Sequence, residues 1–169
     1  MRSALKFCFK APSWQTGGGM SISFAIASDH RGVGLKKEIT EFLKSKGSKV
    51  EDLGTYSDES VDYPDYALKA AEAVAKGKAQ QGIVICHSGI GVSISANKVK
   101  GIRAALCQTV EQAELARRHT DANMLALPAG FVSAELAKKI VEKWLATEFE
   151  GGRHEKRIDK IKTIEERKG

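Results

Sequence analysis

From Met20 onward, short apolar runs alternate with longer amphipathic stretches, and this narrows the possible folds more than any other feature of the chain. A strand followed by a helix cannot turn straight back beside itself, so successive strands lie parallel and the helices cover the sheet. Residues 21–28 (SISFAIAS) read as the first strand, apolar at Ile22, Phe24 and Ile26. Residues 33–46 follow, with Leu35, Ile39, Phe42 and Leu43 at helical spacing and Gly47 as the stop. A weaker strand over 49–54 leads to a helix opened by Pro64, lined by Ala67, Ala70, Ala71 and Val74, and closed by Gly77. Residues 82–86 (GIVIC) are apolar enough for a strand buried on both faces. Then come helix 92–98, strand 101–107, helix 110–119, strand 123–128 and helix 133–147. A final helix after Gly151 and Gly152 has only a narrow stripe of Ile158, Ile161 and Ile164. The expected fold class is α/β, one doubly wound sheet of five parallel strands plus a C-terminal helix.

Charge raises the question of nucleic acid, because the formal net charge is +6. Its distribution answers it. Residues 1–19 carry Arg2, Lys6 and Lys10 without an acid, and from Gly151 onward seven Lys or Arg face four Asp or Glu. The body between is close to neutral and has no basic stripe with interleaved aromatics, so no nucleic-acid partner is expected. No apolar run approaches the ~20 residues that span a bilayer, so no membrane partner is expected and the protein reads as soluble. Three cysteines without a CxxC pair do not form a disulfide framework, which favours a cytoplasmic, reducing compartment. Residues 1–19 lack periodicity and end in three glycines before Met20. They read as a disordered extension or a start assigned too far upstream, with a basic targeting peptide and, last, a functional arm as the alternatives.

In a doubly wound sheet ligands bind at the carboxyl ends of the strands, which points to Asp29-His30, Cys86–Gly91 and Cys107-Gln108. The segment Cys86-His87-Ser88-Gly89-Ile90-Gly91 between a strand and a helix can turn tightly and aim backbone N–H groups into one concavity that suits an anion. A cysteine there is placed to act as a thiolate, although a strand-end cysteine can equally be a small core hydrophobe. The same stretch fails as a dinucleotide fingerprint, because Ile94 stands in the third glycine position and no acid follows the next strand. Asp29-His30 can face the cleft or merely cap the next helix, and His119 can be a half-buried core residue. Arg153 and Arg157 lie four apart on one helix face, a spacing for gripping a dianion as well as for an ordinary solvated face. Cys, His and Asp do not fall at metal-ligand spacings, so no metal is expected. Together these residues supply a base, an oxyanion nest, an acid and a phosphate clamp, the set that aldose–ketose isomerisation through an enediol requires.

The ordered motifs SDHRG, DYPDYA, ICHSGIGVSISANK, GIRAALC, RRHTDAN and EGGRHEKRIDKI resemble the ribose-5-phosphate isomerase type B family, which includes the galactose-6-phosphate isomerase subunits. The resemblance runs from Met20 to Gly169 and implies one sugar-phosphate isomerase domain over 20–169 with a three-layer, Rossmann-like sheet. It implies a homodimer, or a tetramer, with active sites shared between subunits, and no organic cofactor. Cys86 would be the catalytic base; the amides from His87 through Ser88, Gly89, Ile90 and Gly91, with the Ser88 hydroxyl, would hold the enediolate oxygen. His119 from the partner would open the sugar ring with help from Asp29. His30, Arg153 and Arg157 would hold the phosphate, and Tyr63 would line the pocket. Three positions depart from the family's usual pattern. His87 replaces a glycine, Thr120, in the substrate-binding set, replaces an asparagine, and Gly130 replaces an arginine that reaches toward the phosphate. The implied reaction is ribose 5-phosphate to ribulose 5-phosphate in the non-oxidative pentose phosphate pathway. The alternatives are a six-carbon substrate such as allose or galactose 6-phosphate, and a sugar-phosphate-binding protein without catalysis.

Overall fold

The computed structural model of the chain describes residues 22–167, so the expectations for residues 1–19 fall outside the described residues. Five strands form one sheet: β1 (Ser23–Ser28), β2 (Lys49–Asp52), β3 (Gln81–Cys86), β4 (Ala104–Leu106) and β5 (Met124–Pro128). Six α-helices follow them: α1 (Val33–Ser45), α2 (Tyr63–Ala75), α3 (Ile90–Ala96), α4 (Val110–Thr120), α5 (Ala134–Ala146) and α6 (Glu155–Glu166). Short 3-10 turns at His30–Gly32 and Gly152–His154 lead into α1 and α6. The sheet is parallel throughout, in the order β2-β1-β3-β5-β4.

That order has a physical consequence. The chain steps from β1 out to β2 and then returns to β3 on the other side of β1. With right-handed crossovers, α1 and α2 must therefore lie on opposite faces. A crevice opens between the carboxyl ends of β1 and β3, where the direction of winding reverses.

Each inner strand alternates large and small side chains. Phe24, Ile26, Ile83, Ile85, Leu125 and Leu127 point to the face covered by α1, α4 and α5, where they meet Ile39, Leu43, Ile140 and Trp144. At about 1.5–3 kcal/mol for each fully buried large apolar side chain, this face supplies most of the hydrophobic stabilisation. Ala25, Ala27, Val84, Cys86 and Ala126 point the other way, against the Ala67, Ala70 and Ala71 face of α2 and against α3. Small residues on both sides bring α2 close to the sheet.

Several strand and helix ends fall within two residues of the sequence reading, and the boundaries of α3 and β4 bear on the site edge and the sheet. Helix α3 begins at Ile90, two residues earlier than expected, directly out of the glycine turn. Strand β4 pairs only over Ala104–Leu106 instead of 101–107. Its upstream backbone is used elsewhere: Ile102 N–H bonds to Val99 O in a turn, and Arg103 N–H donates to the Asn123 side chain.

Candidate active site

Because all five strands run the same way, their carboxyl ends gather Asp29-His30, the turn after Cys86, Cys107-Gln108 and the 129–133 loop at one edge. Ladder-like bonds continue past the strand ends: Asp29 N–H to Ile85 O at 3.1 Å, Ala129 N–H to Cys86 O at 2.9 Å and Gly130 N–H to His87 O at 2.8 Å. Asp29 thus lies beside Cys86, and His87 lies beside Gly130.

The turn from Cys86 to Gly91 is shaped by what surrounds its glycines. Gly89 has φ +71°, and a Cβ there would stand 2.4 Å from Leu106 Cδ1 and 3.2 Å from the backbone of Leu127 and Pro128. A Cβ on Gly91 would stand 2.6 Å from the Tyr63 ring, so Tyr63 packs directly on the turn. The Gly89 N–H donates to Cys86 Sγ at 3.1 Å, and the Ile90 N–H donates to Ser88 Oγ at 3.3 Å. Two of the amides expected to hold an oxyanion are therefore directed at the turn's own sulfur and hydroxyl. The thiol and the hydroxyl are thus both tied to the backbone of the turn.

Cys86 and Cys107 are both buried and unpaired in disulfides, so burial does not tell them apart. Their donors do. Cys107 Sγ has only Ala105 O at 3.8 Å for company, and burial pushes its thiol up to about 12, which leaves it inert at neutral pH. Asp29, also buried, uses Oδ1 to accept from Arg31 N–H at 2.9 Å and Gly32 N–H at 3.1 Å. It caps the following turn. His30 Nδ1 accepts from Val61 N–H at 3.3 Å, which leaves Nε2 to donate.

The remaining expected residues lie elsewhere. His119 and Thr120 end α4, which runs back to the amino end of β5; Arg103 Nε donates to Thr120 O at 2.9 Å just ahead of β4. Within one chain they are separated from Cys86 by about the length of β3, roughly 17 Å at a strand rise of ~3.3 Å per residue. His119 is not a core residue. It stacks on His154, with ring centroids 4.3 Å apart and planes 7° apart. Arg153 Nε faces His154 Nε2 at 3.3 Å, and Arg157 faces Nδ1 at 3.4 Å. Glu150 lies 3.9 Å from His119 Nε2 and accepts from Arg118 at 2.7 Å; that bond holds its carboxyl below the usual range.

His119, Glu150 and His154 could bring three ligand atoms within 4.8 Å of one another, a grouping that sequence spacing missed because 31 residues separate His119 from Glu150. Its surroundings suit an anion better than a metal. Guanidinium groups approach both nitrogens of His154, and stacked rings do not converge their lone pairs on one point. The cluster is a cationic pad at the amino-terminal edge of the sheet, opposite Cys86.

Comparison with known proteins gives the same direction. The chain matches the family model described as Ribose/Galactose Isomerase over residues 24–161. It is 48% identical over 144 residues to ribose-5-phosphate isomerase B of Escherichia coli (strain K12), covering 85% of this chain and 97% of that protein. The structure is similar to that of Clostridium thermocellum ribose-5-phosphate isomerase B, with TM-score 0.87 and 52% identity over 88% of this chain and 100% of that one. It is also similar to Mycoplasma genitalium ribose-5-phosphate isomerase B with bound ribulose-5-phosphate, with TM-score 0.84 and 49% identity over 88% and 99% of the two chains.

Proposed function

The chain belongs to the ribose/galactose isomerase family, and from that premise we propose that it interconverts ribose 5-phosphate and ribulose 5-phosphate through an enediol. The likeness over nearly the whole length of ribose-5-phosphate isomerase B carries this reading, and the Cys86 turn supplies a chemistry for it. Ring opening takes a proton from the anomeric hydroxyl and gives one to the ring oxygen, work for His119 with Asp29. The Cys86 thiolate then removes the C2 proton of the open aldose and returns it to C1 while a second proton passes from O2 to O1. Ser88 and the turn amides other than those of Gly89 and Ile90 hold the oxygen that carries charge between the two steps. The phosphate ester is held by His30 together with Arg153 and Arg157. No step calls for a metal or an organic cofactor.

His119, Arg153 and Arg157 cannot serve the Cys86 of their own chain, since they stand at the opposite edge of the sheet. A second copy supplies them in a homodimer with shared sites. Apolar side chains available for its interface are Leu68 on α2, Ile90 and Ile94 on α3, and Ile161 and Ile164 on α6, all 40–55% exposed in the single chain. We place the enzyme in the cytoplasm, in the pentose phosphate pathway, because a catalytic thiol needs a reducing compartment; both cysteines among the described residues are free.

A coupled assay of ribose 5-phosphate against ribulose 5-phosphate tests the reaction, with Cys86→Ser measured beside the wild type. Turnover is expected in the wild type and a loss of at least about 10³-fold in the variant, which keeps its fold and its affinity for inorganic phosphate. A fully active Cys86→Ser would overturn the mechanism. A silent wild type that turns over allose or galactose 6-phosphate would move the substrate to six carbons.

A further inference from the structure

The β5–α5 loop offers a feature that the proposed reaction does not yet use. Gly130 is not a glycine for backbone reasons, because it is absent from the positive-φ positions. It is a glycine for reasons of space. A Cβ built there would lie 2.3, 2.5 and 2.8 Å from three atoms of the His87 ring. The imidazole of His87 thus occupies the room that a side chain at 130 would need. The two backbones are tied by the 2.8 Å bond from Gly130 N–H to His87 O, and the ring leans on Phe131 at 5.7 Å and 57°. His87 and Phe131 are both exposed at the mouth of the edge that carries Cys86.

We propose that the His87 side chain is a ligand for the phosphate of the substrate, seated by the absence of a side chain at Gly130, so that the two residues act as one specificity element. The inference rests on the sugar-phosphate reading. Among the described residues no hydrogen bond engages the His87 ring, so a nitrogen is free to donate to a ligand. His30, in the 3-10 turn that follows the neighbouring strand β1, offers its Nε2. Helices α1 and α5, each 13 residues long, begin just beyond this edge and pack on the same sheet face. Their positive ends favour an anion lying over them. The long-armed cations Arg153 and Arg157 stand at the far edge of the same chain. Beside Cys86 this chain offers two imidazoles and the exposed Arg31. A phosphate between His30 and His87 would leave C1 and C2 of the sugar to reach the thiol on the neighbouring strand end.

The test compares wild type, His87→Ala, Gly130→Ala and the double variant in the full-length protein, by steady-state kinetics and by calorimetric titration with inorganic phosphate. His87→Ala is expected to raise KM about tenfold and to weaken phosphate binding by a similar factor, with kcat changed far less. Gly130→Ala, which evicts the ring while leaving the imidazole in the chain, should reproduce that split. The double variant should be no worse than the poorer single one, since both remove the same contact. Unchanged KM and phosphate affinity in His87→Ala would overturn the proposal, as would fully additive effects of the two substitutions. If the wild type fails to turn over ribose 5-phosphate, the reaction assignment falls, and the titrations still decide whether His87 holds phosphate.

Discussion

At the scale of single residues, the site is built from close approaches that only glycine permits. Gly89 combines a left-handed backbone with contact to β5, and its N–H is the donor to Cys86 Sγ. Gly89→Ala is expected to cost about 2–4 kcal/mol, from the φ penalty plus the overlap with Leu106. It should also lower kcat by shifting the sulfur. Urea denaturation and kinetics on the same preparation check both, and wild-type stability would show that the approach to β5 has slack. Cysteine identity is decided at this scale too. Two strand-end cysteines look alike in the sequence, and what separates them is one backbone donor at Cys86 against a bare apolar wall at Cys107.

At the scale of elements, α6 shows how a weakly amphipathic helix is held. Of its three isoleucines only Ile158 is buried, at 5% exposure, so apolar burial alone anchors it poorly. The turn before it contributes His154, 2% exposed and stacked on His119. Burial first, then the neighbouring His119 and Arg153, hold the proton affinity of His154 below the ordinary imidazole value of 6.5. The unfolded chain therefore takes up this proton before the folded one does. Stability from His154 is complete above 6.5 and is lost as pH falls through the lower folded value. Arg157 adds to the depression and Glu150 opposes it. Thermal melting between pH 8 and 5 should show Tm falling below about 6.5, and His154→Gln should flatten that part of the curve. An unchanged slope in the variant would assign the loss to other groups, of which the carboxylates Glu38, Glu111 and Glu150 act at lower pH.

At the scale of the whole molecule, the residues of the proposed site fall at opposite edges of one sheet. Cys86 ends β3 at the carboxyl edge, while His119 ends a helix that has returned to the amino edge. No rearrangement within the sheet brings them together, which is why the proposed site needs a second copy. Mixing Cys86→Ser with His119→Ala, each inactive alone, should restore about a quarter of wild-type activity. Half of randomly re-formed dimers pair the two variants, and each such dimer has one intact site. No recovery from re-formed mixed dimers would mean that the site is not shared in this way.

The order of elements, the parallel sheet and the edge at which to look for chemistry were legible in the chain, because hydrophobic period and strand–helix alternation are local properties that admit one main architecture. The cysteine–glycine turn was legible for the same reason: its residues are consecutive. What tertiary structure alone decided involves residues far apart in the chain. The stacking of His119 on His154 beside Glu150 joins positions with no common period, and the room for His87 exists only because β3 and β5 are neighbours. The shortening of β4 follows from hydrogen bonds that Arg103 makes around Asn123 and Thr120. A sequence determines which side chains can face one side of a strand or helix. Which of those faces meet, and how much space is left between them, is settled when the sheet closes its order and the helices pack.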